Sequence, residues 1–267
     1  MNDQNAQTPW EERFVVYRDV TVQYFIQGAG PSIVFLPSHA RHAEDFFEVG
    51  SMIAKQDFRC ICVQPRWIGK STGPNDANMH DLAMDVISVI EKENAAPVLM
   101  VGHAYGNWAS RVTAKDRPDL VKAVCVAAAA AKGPARHLHE KVVKCGDYSL
   151  PDEERLSCLQ DIFFAPSHDP SVWLTGWTPS ASELQVKAAS RTPQEEWWSA
   201  GGTVPFFEIR AEMDPFAPPE RAHEMREMFG DRVTTVEIPN ASHGLFPEQT
   251  EAVTAAIVTY ARLLFAK

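Results

Sequence analysis

Short, continuous apolar runs recur along the chain. Ser32–Leu36, Arg59–Val63, Val98–Val101 and Val121–Val126 are each bounded by Gly, Pro or polar residues. Runs of this length and evenness predict strands buried on both faces of a parallel sheet. Ahead of them, Phe14–Tyr17 and Thr21–Ile26 are split by Arg18 and Asp19, which predicts an N-terminal hairpin. Between the runs the pattern changes to a helical period. In Asp81–Glu93 the residues Leu82, Val86, Val89 and Ile90 share one face, and Trp108–Asp116 follows a glycine-containing turn. Two further strand–helix units close the chain: Pro205–Arg210 with Pro219–Phe229, then Val233–Ile238 with Glu248–Phe265. Strands alternating with helices predict an α/β fold, a mostly parallel, doubly wound sheet.

Residues 133–202 break this rhythm. They hold Trp173, Trp177, Trp197 and Trp198 together with Phe163 and Phe164, and they read as helices without strands. Placed between two strand units of one sheet, such a segment is expected to form a helical cap over the carboxyl edge of the strands. The expected organisation is a core in two parts, 1–132 and 203–267, with the cap between them. Trp173 and Trp177 are candidates for lining a pocket; the other outcome is that such rings form the cap's own small core.

Composition narrows the classes of function. The chain has 267 residues, 45% hydrophobic and 22% charged, a globular balance that can bury a sizeable core without metal or disulfide staples. The net charge of -10, from 25 Lys and Arg against 35 Asp and Glu, argues against nucleic acid or an anionic membrane as a partner. A small-molecule substrate is the expected partner, and oligomeric state is not readable. Of the five cysteines, Cys60 and Cys62 alternate along one strand and so share a face as core thiols. No Cys-x-x-Cys pair occurs, and His137 and His139 lack a third ligand at metal spacing, so neither metal nor cofactor is expected. The first residues have no basic and apolar secretory pattern, and the longest apolar stretch, Ala123–Ala131, is too short to span a bilayer. The expectation is a soluble, cytoplasmic protein.

The chemistry concentrates in three loops. Val98–Val101 runs into Gly102-His103-Ala104-Tyr105-Gly106-Asn107-Trp108, the frame of a G-x-S-x-G nucleophile elbow. Its glycines let strand and helix approach closely, and the helix start supplies N–H groups suited to an oxyanion. The central position is Ala104, which has no nucleophilic atom. By its direction along the strand, His103 is expected beneath the elbow as a core histidine. Asp214 lies just past a later strand, in Ala211-Glu212-Met213-Asp214-Pro215, and His243 lies in the loop after the final strand, in Asn240-Ala241-Ser242-His243-Gly244. The order elbow, acid, histidine is that of a hydrolytic triad, with Asp214 orienting His243. The third loop, Pro37-Ser38-His39-Ala40-Arg41-His42, leaves the first central strand. Ser38, His39, Arg41 and His42 are its candidate pocket residues.

With Pro65-Arg66-Trp67-Ile68-Gly69-Lys70-Ser71, which is similar to the turn D-x-x-G-x-G-x-S, the chain resembles α/β-hydrolase-fold proteins over essentially its whole length. It further resembles a bacterial subgroup whose elbow reads G-H-A-F-G-N, as do Phe163-Phe164-Ala165-Pro166, Trp197-Trp198 and Pro247-Glu248-Gln249. The resemblance implies an oxyanion hole formed by the amides of His39 and Tyr105, although Pro37-Ser38 replaces the family's usual His-Gly. It implies hydrolysis of an ester, lactone, amide or C–C bond in a small carbonyl substrate.

Ala104 leaves the route open. Either serine is the natural residue and this is an inactivated form that holds substrate, or alanine is the chain's own residue. With alanine, an acyl-enzyme and the aspartyl-ester route of the family's epoxide hydrolases and dehalogenases are both excluded. A His243–Asp214 dyad still allows water activation, or cofactor-free proton abstraction as in dioxygenases and lyases of the family. A non-catalytic small-molecule binder is the remaining alternative.

Overall fold

Strand pairing follows the apolar runs. The computed structural model describes residues 9–266 apart from 130, 131 and 134. Its strands are β1 (Glu11–Tyr17), β2 (Val20–Gly28), β3 (Ser32–Leu36), β4 (Arg59–Val63), β5 (Val98–His103), β6 (Val121–Ala127), β7 (Phe206–Ala211) and β8 (Val233–Ile238). They form one sheet in the order β1-β2-β4-β3-β5-β6-β7-β8. β1 and β2 pair antiparallel, as the split at Arg18-Asp19 predicts, and β2 pairs antiparallel with β4. The remaining pairings are parallel.

Alternation along the buried strands divides the interior into two layers. Val34 and Leu36 of β3 and Met100 of β5 face one hydrophobic cluster, while Ile33, Phe35, Leu99 and Val101 face the other. Helices cover both. They are α1 (Phe47–Ala54), α2 (Met79–Lys92), α3 (Tyr105–Asp116), α4 (His139–Gly146), α5 (Asp152–Ile162), α6 (Pro179–Ser190), α7 (Gln194–Trp197), α8 (Glu224–Phe229), α9 (Leu245–Glu248) and α10 (Thr250–Phe265). α2 and α3 contribute to the first layer, and α1 and α10 to the second. Cys60 and Cys62 sit side by side in that second layer, where burial pushes both thiols up.

The differences from the sequence reading have local causes. α2 starts two residues before Asp81, because Asn78 and Asp81 form a reciprocal capping box: the Asn78 side chain accepts from the Asp81 amide at 3.1 Å, and Asp81 accepts from the Asn78 amide at 2.9 Å. The segment Pro219–Phe229 splits into a 3₁₀ turn, Pro219–Arg221, and the short α8. Between β6 and β7 the described residues form α4 to α7 with short 3₁₀ turns and no strand, apart from a single bridge of Trp177 to Arg41. Ile162, Phe163, Phe164, Trp173 and Trp177 of this stretch form a third, smaller hydrophobic cluster. Among the described residues, no helix is long and apolar enough to cross a membrane.

Candidate active site

Parallel strands bring their carboxyl ends to one edge of the sheet, and three loops that leave this edge meet there. At the end of β5 the chain turns through Ala104, whose φ of 48° and ψ of -113° lie outside the regions open to ordinary residues. Such a conformation costs about 1–3 kcal/mol and persists only where its surroundings dictate it. They do so here. The Ala104 amide donates to Ala127 O at 3.0 Å, and its carbonyl accepts from the Asn107 amide at 3.1 Å and from the Asn107 side chain. Asn107 is held in turn by Arg111, whose Nε donates to Asn107 Oδ1 at 2.8 Å. Arg111 is fully buried between the rings of Trp198 and Phe206, and desolvation pushes its guanidinium down to about 9.

The flanking glycines are needed for space. A Cβ on Gly106 would stand 2.1 Å from Leu36 O, and one on Gly102 would stand 2.4 Å from the Asn107 backbone. The elbow helix therefore lies directly against the loop that follows β3. No acceptor for the amides of His39 and Tyr105 occurs among the described residues.

His243 and Asp214 meet from the loops after β8 and β7. Nδ1 of His243 lies 3.0 Å from both carboxylate oxygens of Asp214, and both side chains are buried. With Nδ1 so engaged, Nε2 is the ring nitrogen left for proton transfer. The Asp214 carboxylate also accepts the Phe216 amide at 2.8 Å, and the Phe216 ring packs 4.1 Å from the imidazole of His243.

Two further groups fix the histidine loop. His103, buried under the elbow, donates from Nε2 to His243 O at 2.7 Å. Its own burial, with His243 as the next cause, brings that imidazole down to about 3, so it is the neutral ring that donates. Glu248 accepts the amides of Ser242 at 2.7 Å and Ala165 at 2.5 Å, tying the histidine loop to the chain after α5. Gly244 N completes that seam by donating to Phe163 O at 2.6 Å.

A cavity of about 310 Å³ opens beside these groups. Ser38, His39, Ala104, Tyr105 and His243 line it at the sheet edge, and Trp108, Phe163 and Phe216 give it an aromatic wall. Residues 33–256 match the sequence pattern of the Alpha/beta hydrolase family. The chain belongs to that family.

Proteins similar to this family member include an epoxide hydrolase and an esterase. An epoxide hydrolase of Caballeronia sordidicola is 25% identical over 178 residues, which are 66% of this chain and 48% of that protein. The chain thus spans about half the length of the curated relative it matches. Among solved structures, Rv0554 of Mycobacterium tuberculosis superposes with a TM-score of 0.76 at 19% identity, covering 90% of this chain and 93% of that one. A thermophilic esterase from Thermogutta terrifontis does so with a TM-score of 0.74 at 17% identity, covering 96% and 99%. At these identities the solved structures speak for the fold.

Four residues expected in the pocket of this hydrolase-family member do not line the cavity. The Arg41 guanidinium is stacked 4.5 Å from the Trp173 ring and 4.8 Å from Trp177, bonded to Asp45 at 2.6 Å and to Thr175 O at 2.6 Å. A desolvated cation needs its donors satisfied, and Arg41 finds its partners in Asp45 of its own loop and in the inserted segment. Trp173 and Trp177 are consumed by that stack and by the aromatic cluster around Phe163. His42 turns to Thr178 Oγ1 at 2.9 Å. His39 keeps its place on the wall, but its Nε2 donates to Ser182 O at 3.1 Å, and burial keeps the ring below its ordinary pKa. Ser38 lines the cavity, and its Oγ has no hydrogen-bond partner among the described residues.

The sequence reading missed Trp108, Phe216, His139 and Gln185. Trp108 and Phe216 carried a usable signal, since one lies a helical turn past Ala104 and the other two residues past Asp214. His139 and Gln185 carried none. Among the described residues, no cluster of three or more His, Cys, Asp or Glu side chains could hold a metal ion.

Proposed function

We propose that the chain hydrolyses a small, largely apolar carbonyl compound, an ester, lactone, amide or activated C–C bond, with water itself as the nucleophile. The observation that carries this reading is the Asp214–His243 pair, at 3.0 Å, whose imidazole lines the same cavity as Ala104 while the carboxylate stands behind it.

The chemistry follows from that placement. Asp214 fixes the proton of the neutral imidazole on Nδ1 and stabilises the imidazolium that forms later. Nε2 takes a proton from a water in the space beside Ala104, and the hydroxide oxygen bonds to the carbonyl carbon. The carbonyl oxygen becomes an oxyanion, held by the amides of His39 and Tyr105, with Ser38 Oγ as a further donor. Collapse breaks the bond to the leaving group, which receives the proton from Nε2. No covalent enzyme intermediate forms, because Ala104 offers no atom for one. The epoxide-hydrolase relative does not extend the reading to epoxides by an aspartyl ester, since that route also needs a nucleophile at position 104. The inserted helices act as the cap, and Trp108, Phe163 and Phe216 favour a substrate with an aromatic or bulky aliphatic group.

A panel of p-nitrophenyl esters tests the reading on the chain itself, on Ala104→Ser and on His243→Ala. The expected result is turnover by the unaltered chain without a burst of p-nitrophenol, reduced by about 10²–10⁴-fold in His243→Ala, the usual contribution of a general base. Turnover by Ala104→Ser alone would overturn water activation. Oxygen uptake with aromatic substrates, and no ester turnover, would instead mark the dyad as the base of a cofactor-free oxygenase.

A further inference from the structure

We propose that Gln185, on α6, is a positioning residue for the oxyanion hole, and that α6 carries the seating of the cap to the reacting centre. The inference rests on the assignment of the His39 and Tyr105 amides to the oxyanion.

Gln185 is buried and bonds to the neighbour of one proposed oxyanion amide and to the side chain of the residue that carries the other. Its side-chain Oε1 accepts the amide of Ala40, the residue next to His39, at 2.7 Å. Its main-chain carbonyl accepts the hydroxyl of Tyr105 at 3.0 Å. One turn earlier on the same helix, Ser182 O accepts the His39 imidazole at 3.1 Å. Just before the helix, the Thr178 amide donates to Ala40 O at 2.9 Å.

Ala40 makes these contacts matter. Its φ of 57° is left-handed, which an alanine adopts only under constraint. Both of its backbone hydrogen-bonding groups end on the cap, the amide on Gln185 and the carbonyl on Thr178. The turn that aims the His39 amide is therefore constrained by a cap helix. That helix also presents Val186 and Ala189 to the cavity. An apolar substrate group pressed against Val186 and Ala189 seats α6, and α6 seats the Ala40 turn and Tyr105. Binding energy from a part of the substrate that does not react is thereby expressed at the reacting carbonyl.

Gln185→Met keeps the length of the side chain and removes the acceptor, while Gln185→Glu keeps an acceptor oxygen for the Ala40 amide. Two readouts on the full chain separate the inference from the hydrolase reading. In ester turnover, Gln185→Met is expected to lower kcat by about 10- to 100-fold with KM within about 3-fold, less than the ~10²–10³ of deleting an oxyanion donor. Gln185→Glu is expected to retain most of the kcat. In amide hydrogen exchange, Gln185→Met is expected to raise exchange at 38–42 and 104–108 together and to leave β5 and β6 unchanged. An unchanged kcat in Gln185→Met, or a loss that Gln185→Glu fails to restore, overturns the inference. Should the unaltered chain turn over no ester at all, the hydrolase reading fails and exchange alone decides. A rise confined to the two segments then sustains the coupling, and no rise, or one spread over the whole sheet, refutes it.

Discussion

Acid is expected to destabilise this protein through a histidine that makes no contact with solvent. His103 is buried under the elbow, and its pKa falls from the ordinary 6.5 to about 3. Below pH 6.5 the unfolded chain binds a proton at this position that the folded chain refuses. Stability contributed by the neutral ring is therefore complete above pH 6.5 and is lost as pH falls toward 3, at about 1.4 kcal/mol per pH unit. By pH 4.5 the loss amounts to roughly 3 kcal/mol, a large part of the ~5–15 kcal/mol that holds a typical domain together. His39, also held below its ordinary pKa by burial, acts in the same direction. Asp85, Glu208 and Glu248 act in the opposite one, since burial raises their pKa values and they take up protons earlier in the folded state. A comparison of the protein with His103→Gln isolates the term. Gln carries an amide donor where Nε2 bonds His243 O, and it does not titrate. Urea titrations between pH 7 and 4.5 are expected to show the variant less stable at pH 7 by about 1–3 kcal/mol, from lost packing. That gap should close by about 1.4 kcal/mol for each pH unit below 6.5. A gap that stays constant over the range would refute the reasoning.

Two substitutions test the elbow and the dyad. In Gly106→Ala the new methyl would lie 2.1 Å from Leu36 O, so helix and loop must part by more than an ångström. The expected cost is about 1–3 kcal/mol in the urea midpoint and about 10²-fold in ester turnover; an unchanged midpoint would show that the approach is looser than described. Asp214→Asn keeps the shape of the carboxylate but no longer selects the Nδ1–H tautomer. Turnover is expected to fall by up to ~10⁴-fold with the circular dichroism spectrum unchanged, and a loss below about 10-fold would remove the dyad from the mechanism.

The parts of the molecule legible in sequence are those fixed by local pattern. β3 and β5 are buried on both faces, so their apolar runs stand out whatever the rest of the chain does. Asp214 and His243 were visible because loops at the carboxyl ends of parallel strands converge, and position along a strand is a short-range property. Arg41 shows the opposite case. In sequence it is one polar residue among several in a loop, and its partners Trp173, Trp177 and Thr175 lie more than 130 positions away. Only the docking of the inserted helices decides that this cation is enclosed instead of facing a ligand. Gln185 is illegible for the same reason, since a glutamine in the middle of a helix carries no sign of the two loops it joins. The start of α2 was missed although Asn78-x-x-Asp81 was in plain sight, because a capping box with aspartate in place of the commoner glutamate gives a weaker signal.

The conformation of Ala104 is the remaining question, for an elbow without a nucleophile still bears the elbow's strain. The turn is enforced by Ala127 O, by Asn107 and, behind Asn107, by an arginine so desolvated that its pKa falls by several units. That is an expensive arrangement for a methyl group. Its effect lies one residue further on, because the same reversal starts α3 at Tyr105 and leaves the Tyr105 amide without an acceptor among the described residues. A relaxed residue at 104 would swing that amide off the wall on which His243 stands. On the proposed reading, then, the strain supports the oxyanion hole, and the side chain at 104 contributes by being small enough to leave room for the attacking water. On that reading the chain would keep the electrostatic half of a hydrolase site without the covalent half, which is the combination that general-base attack by water requires.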